Sequence, residues 1–380
     1  MRRIRKGHVF AAALAVALCV PAAGASSGNN GMINSVGKTE GQLNLIAWEG
    51  YVQPQWTNPF QKQTGCQVHA KYAGSSDEMV TLMKTGQYDG VSASGDATLR
   101  LIYGKAVRPI NPNLIPGWKN FIPALKSPPH NTVNGVHYGI SLQWGPNTLL
   151  WNTKKVKPAP KSWSAIYSTK YKGKITIPDN PIQIADAALY LSKKNPSLGI
   201  KDPYELTQSQ FNAAVSLLKK QHPLIKHYWA SAGDEISEFK NGDATIGAAW
   251  PYQTINLQAD HVPVKDEIPK EGATGWADTW MVSTQAKHPN CMVKWIQWVS
   301  TPKVQAQQAI SFGETPANTK ACSFMNKIQA GACTKYHANA PTAYFKSIKF
   351  WKTPTSTCDN GKNDCVDYTK WSQAWTTIRG

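Results

Sequence analysis

The sequence predicts an α/β fold arranged as two lobes, on three observations. Strand-like and helix-like segments alternate through most of the chain. The 380 residues exceed one core's worth of chain, at roughly 150 residues per domain. Neither a fixed-period repeat nor a long linker separates two halves. A chain that crosses between two lobes reconciles length, alternation and the missing linker, and the alternation is expected to give mainly parallel sheets.

The first segment stands apart from the fold. Arg2, Arg3, Arg5 and Lys6 precede an apolar run of 12 residues, Val9 to Val20, and Ala23-Gly24-Ala25 fits a small-x-small cleavage site. Twelve residues are too few to cross about 30 Å of hydrocarbon as a helix, so residues 1–25 read as a secretory signal peptide. Cys19 follows Leu18 where a lipid anchor would want a small residue, which argues against a lipoprotein. Residues 26–41 are polar and rich in Gly and Ser and are expected to be a flexible leader.

Leu43 to Ala47 is the first strand candidate. Ser75 and Glu78 form a capping box ahead of Met79, Leu82 and Met83, with Gly86 as the stop. Tyr88 to Val91 is a short strand. Gly139 to Leu142 and Thr148 to Trp151 are strands around a break at Trp144-Gly145-Pro146. Lys174 to Ile177 is a strand, Thr207 and Gln210 box a helix presenting Phe211, Val215 and Leu218, and Thr245 to Trp250 is a strand. Asn290 is expected to cap a helix carrying Met292, Trp295 and Val299, and Gly313 to end the next one.

Composition narrows the function classes. With 41% hydrophobic and 17% charged residues the chain is neither disordered nor a polytopic membrane protein. Removing the four basic residues of the signal leaves 37 basic against 23 acidic ones. The lysines are scattered rather than blocked, and export argues against a nucleic-acid partner, so the excess reads as a basic soluble surface. Six cysteines remain after the signal, an even number that in an exported chain reads as disulfides. Cys322/Cys333 and Cys358/Cys365 close short loops, which leaves Cys66 with Cys291. No C-x₂₋₄-C pair supports zinc.

From Leu43 onward the common catalytic signatures are missing: G-x-S-x-G, H-E-x-x-H and the P-loop do not occur there. Ser216 and Lys219 match S-x-x-K inside an amphipathic helix, without companion motifs. His222 and His227 flank a proline at poor metal spacing. Asp359 to Asp364 lacks the Gly and closing Glu of a calcium loop. Aromatic and polar residues recur instead just after strand-like runs: Trp48-Glu49-Gly50-Tyr51, Ser92 to Asp96, Pro178-Asp179-Asn180 and Trp250-Pro251-Tyr252. Ligands of open α/β sheets bind outside the carboxyl ends of strands. Tryptophan faces beside carboxylates suit an ammonium group.

LNLIAWEGYVQPQW, FQKQTGCQV, YDGVSASGD, SWSAIYSTKYKGKITIPDN, NGDATIGAAWPYQ, GATGWADTWMVS and FGETPAN occur in this order along nearly the whole mature chain. Together they resemble the extracellular solute-binding proteins of ABC importers, in the spermidine/putrescine-binding family. The resemblance implies a two-lobe periplasmic-binding-protein-like fold, interleaved lobes joined by a hinge, with a ligand captured by closure. It implies lobe 1 at 42–142 and 276–315, lobe 2 at 143–275, and a segment 316–380 packing across both. The ligand-binding positions it implies are Trp48, Glu49, Tyr51, Ser94, Asp96, Asn180, Gln183, Trp250, Trp276, Asp278 and Lys352. Trp276 and Asp278 would hold an amine.

This chain departs from polyamine binders in carrying Asn180 and Gln183 at usually acidic positions, and Lys352 where an amide is usual. Two ligand classes follow: a polyamine such as putrescine or spermidine, or a molecule with one amine and one carboxylate, such as an amino acid homologue, or a betaine. The expected partners are that small molecule and the permease subunits of an importer, with no cofactor, no metal and no nucleic acid, in a monomer of the periplasm or extracellular space. A secreted enzyme would need a nucleophile and base not found here. An envelope-interaction protein would act by charge alone.

Overall fold

A computed structural model describes residues 31–380; the expected signal peptide and the start of the leader lie outside them. Two mixed sheets form the cores of two lobes. The larger has eight strands, six of them in spatial order Thr315–Pro316, Ile140–Pro146, Ala273–Ser283, Gly90–Ala93, Gln42–Ala47 and Gln67–Tyr72, with Val107–Arg108 and Ile348–Phe350 added on Ala273–Ser283. The smaller has five, in the order Ile225–Trp229, Ile175–Pro178, Ile246–Ala249, Thr148–Asn152 and Val264–Glu267. The expectation of mainly parallel sheets is corrected. Gln42–Ala47 pairs parallel with both neighbours, but Ala273–Ser283 runs antiparallel to Gly90–Ala93 and to Ile140–Pro146. A strand that returns from the other lobe arrives in the opposite direction.

The expected break at Trp144-Gly145-Pro146 is also corrected, since the strand runs through to Pro146. Trp144 is fully buried and packs edge-on against Phe345 and Phe350 at 5.2 and 5.8 Å, which holds it in the sheet. Gly145 is required by packing: a Cβ there would sit 2.8 Å from Cζ2 of Trp276. The chain leaves the large sheet at Asn147 and returns at Ala273. These crossings touch, with Asn147 N donating to Thr274 O at 2.8 Å and Asn147 Nδ2 to Thr274 Oγ1 at 2.8 Å. Thr274 Oγ1 in turn donates to Asp186 on the helix Gln183–Lys194.

Helix boundaries follow local chemistry. Ser75 Oγ accepts from Glu78 N at 3.2 Å, while the Glu78 carboxylate accepts from Gly74 N. Gly313 ends the helix Pro302–Phe312 with φ 78°. Asn290 is not the expected cap. It sits in the first turn of Pro289–Val299, where Glu40 accepts from Asn290 N at 3.0 Å and Cys291 N at 2.9 Å. A carboxylate at a helix N-terminus outcompetes a neutral amide there. That contact also corrects the flexible leader: within residues 31–41, Ile33 N donates to Pro109 O and Asn111 N to Ile33 O, both at 2.9 Å.

Disulfides join Cys66 to Cys291, Cys322 to Cys333 and Cys358 to Cys365. The tail reaches both sheets. Ile348–Phe350 pairs with Ala273–Ser283, while the helix Tyr368–Arg379 packs Trp371 near Phe211 at 6.0 Å and bonds Asp179 through Trp375 Nε1 at 2.9 Å. Among the described residues, no helix is long and apolar enough to cross a membrane.

Candidate functional site

Four strands deliver the site, three of them at their carboxyl ends. Gln42–Ala47 ends into Trp48 and Tyr51, and Gly90–Ala93 ends into Ser94. Ile246–Ala249 of the smaller sheet ends into Trp250, the residue before the helix Pro251–Ala259. These are carboxyl ends of strands, where side chains and helix N-termini face a crevice. Trp276 and Asp278 lie in the middle of Ala273–Ser283. Alternation turns both to one face and Ala277 to the other. The register slips between Asp278 and Thr279, a bulge that sits next to the carboxylate.

Trp48, Tyr51, Ser94, Trp250, Trp276, Asp278, Phe312 and Trp351 line a small, nearly filled pocket of about 10 Å³. The rings interlock edge to face: Trp48 and Trp250 have centroids 5.7 Å apart, Trp250 and Trp276 6.1 Å, Trp276 and Phe312 5.8 Å, and Tyr51 and Phe312 5.0 Å. Asp278 is the acidic member of this wall and is 2% exposed. Ser94 Oγ donates to Asp278 Oδ1 at 2.6 Å and Tyr51 Oη to Oδ2 at 2.7 Å, while Trp48 Nε1 donates to Ser94 Oγ at 3.1 Å. Burial pushes the carboxyl up to about 7, against the lowering effect of these two hydroxyls. Asp278 forms no salt bridge among the described residues; its bonded partners are neutral hydroxyls. A box of aromatic faces around such a carboxyl is built to receive a cation, which would repair the desolvation and meet the rings.

Six of the eleven positions expected from the sequence therefore meet in one cavity: Trp48, Tyr51, Ser94, Trp250, Trp276 and Asp278. Five lie elsewhere. Glu49 Oε2 accepts from Gly233 N at 3.2 Å, at the start of the helix Ala232–Asn241, so its carboxylate bridges from the larger sheet's loop to the smaller sheet's helix. Asp96 accepts from Ser76 Oγ at 2.9 Å, and burial, opposed by Arg100, raises its carboxyl to about 6. Asn180 Oδ1 accepts from Ile182 N at 3.1 Å and serves its own turn. Gln183 is buried beside Asp186.

Lys352 lies outside the pocket wall. Its ammonium pairs with Glu205, with Asp359 at 2.9 Å and with Asp202 at 3.2 Å. Burial alone would lower its pKa, and those carboxylates more than reverse this. Trp351 takes the place in the wall, because its backbone N–H extends the sheet to Gly275 O at 2.8 Å and turns the next residue away. Phe312 was missed as well. The helix stop at Gly313 marks where the chain leaves that helix beside the cleft, and it is the sequence signal that would have found it.

Residues 55–332 match the family of bacterial extracellular solute-binding proteins. The chain belongs to that family. It is 25% identical over 298 residues to the spermidine/putrescine-binding periplasmic protein of Escherichia coli K12, covering 77% of this chain and 82% of that one. Its fold is shared by the spermidine/putrescine ABC transporter substrate-binding protein of Streptococcus pneumoniae, with a TM-score of 0.66 and 19% identity over 89% of this chain and 99% of that one. The A. tumefaciens B6 PBP MotA in complex with glucopine shares it too, with a TM-score of 0.70 and 18% identity over 89% of this chain and 100% of that one. In solute-binding proteins of this fold a crevice between two lobes closes on the ligand, and the aromatic cavity of this chain sits where its two sheets meet.

Proposed function

We propose that the chain is the exported capture subunit of an ABC importer and that its solute is a small amine of the polyamine class. The observation that carries this reading is Asp278, a buried carboxyl with raised pKa, oriented by Tyr51 and Ser94 and ringed by tryptophans, with no cationic partner in the described residues. An ammonium entering the cavity would take the place of the proton, accept the aromatic faces as walls and gain a charge-assisted hydrogen bond. The likeness to the spermidine/putrescine-binding proteins of E. coli and S. pneumoniae supports the same ligand class. It also supports a place in the periplasm or its equivalent and a permease as partner.

The protein works as a monomer without nucleic acid and without turnover. Ser94 Oγ is bonded to Asp278, the carboxyl that takes the ammonium in this reading, and neither His nor Lys lines the pocket. Lobe 1 comprises roughly 42–146 and 273–316, lobe 2 the chain between, and 317–380 packs across both. A thermal-shift screen of the mature protein against diamines, monoamines, amino acids and betaines tests the reading. Diamines are expected to raise the melting temperature in a saturable way, and a set of amines without effect would refute it.

A second reading has one observation in its favour. The indole N–H groups of Trp250 and Trp351 find no acceptor among the described residues, and a ligand carboxylate would supply one. Such an amino-carboxylate would still place its ammonium on Asp278.

A further inference from the structure

The larger sheet carries a second buried carboxylate that the site described so far does not use. Glu314 is 3% exposed, and its Oε2 finds no hydrogen-bond partner among the described residues. It sits between Phe312 and the strand Thr315–Pro316. That strand pairs antiparallel with Ile140–Pro146, Thr315 opposite Trp144 and Pro316 opposite Gln143. The central strand in turn sets Trp144 opposite Ala277, Gln143 opposite Asp278 and Gly145 opposite Trp276. Partners opposite each other in a sheet share a face, and that face alternates along each strand. Thr315, Trp144 and Ala277 therefore share the back face. Pro316, Gln143 and Asp278 share the cleft face, and Glu314, one residue before Thr315, continues the alternation on the cleft side with Gly145 and Trp276.

The two carboxylates are thus two strand spacings and two residues apart, about 12 Å between backbones. Gly145 in the row between them carries no side chain, and the Trp276 ring fills that space. The electrostatic neighbour that Glu314 feels is Asp278, another carboxylate, and burial together with that charge raises its pKa well above the ordinary value, against the Gln143 amide nearby. Burying a second acid beside the first, with its outer oxygen unmatched, is costly in the empty protein and becomes favourable when a cation reaches it.

We propose that Glu314 is a second ammonium anchor of the cleft, so that the solute carries two cationic nitrogens, one on Asp278 and one on Glu314, with its methylene chain along Trp276. This rests on the amine reading and specifies it. Like Asn180 and Gln183, Glu314 does not line the pocket around Asp278, but unlike them it is an acid, and the strand register sets it on the face that bears Trp276 and Asp278. Glu314 is then the residue that selects a diamine over a monoamine of equal length.

The experiment is calorimetric titration of the mature protein with putrescine, n-butylamine and γ-aminobutyrate, for wild type, Glu314→Gln, Glu314→Leu and Asp278→Asn. Wild type is expected to prefer putrescine over n-butylamine by about 30-fold or more, the scale of one stranded buried charge partner. Both Glu314 variants should collapse that preference while keeping n-butylamine binding, and both should melt no lower than wild type without ligand, because an unmatched buried acid has been removed. Asp278→Asn should weaken both amines together. If wild type binds neither amine, the amine reading falls and the second anchor with it. If wild type binds amines but favours n-butylamine or γ-aminobutyrate, or if the Glu314 variants keep the wild-type preference, the anchor is refuted and the amine reading stands.

Discussion

Replacing Asp278 by asparagine keeps the side chain's size and removes its charge. In the wild-type site Oδ1 and Oδ2 accept from Ser94 and Tyr51 at 2.6 and 2.7 Å. The amide can keep one of these bonds as acceptor and offer its N–H₂ to the other hydroxyl, so the cavity should keep its shape. A ligand ammonium loses its buried counter-charge, which costs about 2–4 kcal/mol, the lower part of the range for truncating one partner of a buried charge pair. That corresponds to roughly 30- to 800-fold in Kd.

The proton gives a second, independent signature. The ligand-free carboxyl titrates at about 7, and a bound ammonium must lower that value. Amine affinity should therefore rise by up to about one decade per pH unit as pH approaches 7 from below, and level off above it. With n-butylamine, which reaches Asp278 alone, this dependence should vanish in the asparagine variant; with putrescine the part carried by Glu314, whose buried carboxyl is also raised, should remain. Stability runs the opposite way. A carboxyl raised in the fold from its ordinary 3.8 to about 7 favours the folded state at low pH, and that contribution is lost as pH rises from about 4 to about 7. Calorimetric titration at pH 5.5, 6.5, 7.5 and 8.5, with melting curves of the ligand-free protein, reads all three effects. Near-wild-type affinity with a lowered melting temperature would refute the reasoning and make Asp278 a structural acid.

Four further outcomes are expected. Trp276→Ala should weaken amine binding by about 1–3 kcal/mol through lost cation–π attraction and apolar contact, with circular dichroism unchanged; titration calorimetry checks it. Glu49→Ala removes the acceptor for Gly233 N on the opposite side of the cleft and should weaken binding by about 0.5–2 kcal/mol, with small-angle scattering showing a larger radius of gyration in the presence of ligand than for wild type. Replacing Cys66 and Cys291 together by serine opens a link across 225 residues and should lower unfolding stability by about 2–5 kcal/mol in denaturant titrations. Lys352→Gln should leave amine affinity unchanged and lower the melting temperature, since the lysine answers Asp202, Glu205 and Asp359 rather than the ligand.

Much of the fold is legible in local chemistry. Strand runs such as Leu43 to Ala47 and caps such as Ser75 act through neighbours in sequence, and the structure starts or stops elements within a residue or two of them. Glycine stops behave the same way, as Gly313 shows. What is not legible depends on distant partners. Glu40 displaces Asn290 as the cap from 250 residues away. The strand through Trp144-Gly145-Pro146 survives because Phe345, Phe350 and Trp276 pack on it. Antiparallel returns of Ala273–Ser283 follow from chain crossings that no local pattern records.

The site divides similarly. Trp48, Tyr51, Ser94 and Trp250 converge because each follows a strand, which period-2 runs reveal, and Trp276 with Asp278 because alternation sets them on one face. Lys352 lies one residue past the wall, in a tail whose irregular pattern fixes no register. Glu314 reads in sequence as a polar residue after a helix stop, and its burial comes from the pairing of Thr315–Pro316 with a strand 170 residues earlier.

The most direct test of capture without chemistry is equilibrium dialysis of the mature protein against labelled putrescine at pH 8, with the ligand recovered and identified afterwards. The account predicts saturable binding of one putrescine per chain, returned unchanged and displaced by spermidine. No retained label, or label recovered as another compound, would contradict it.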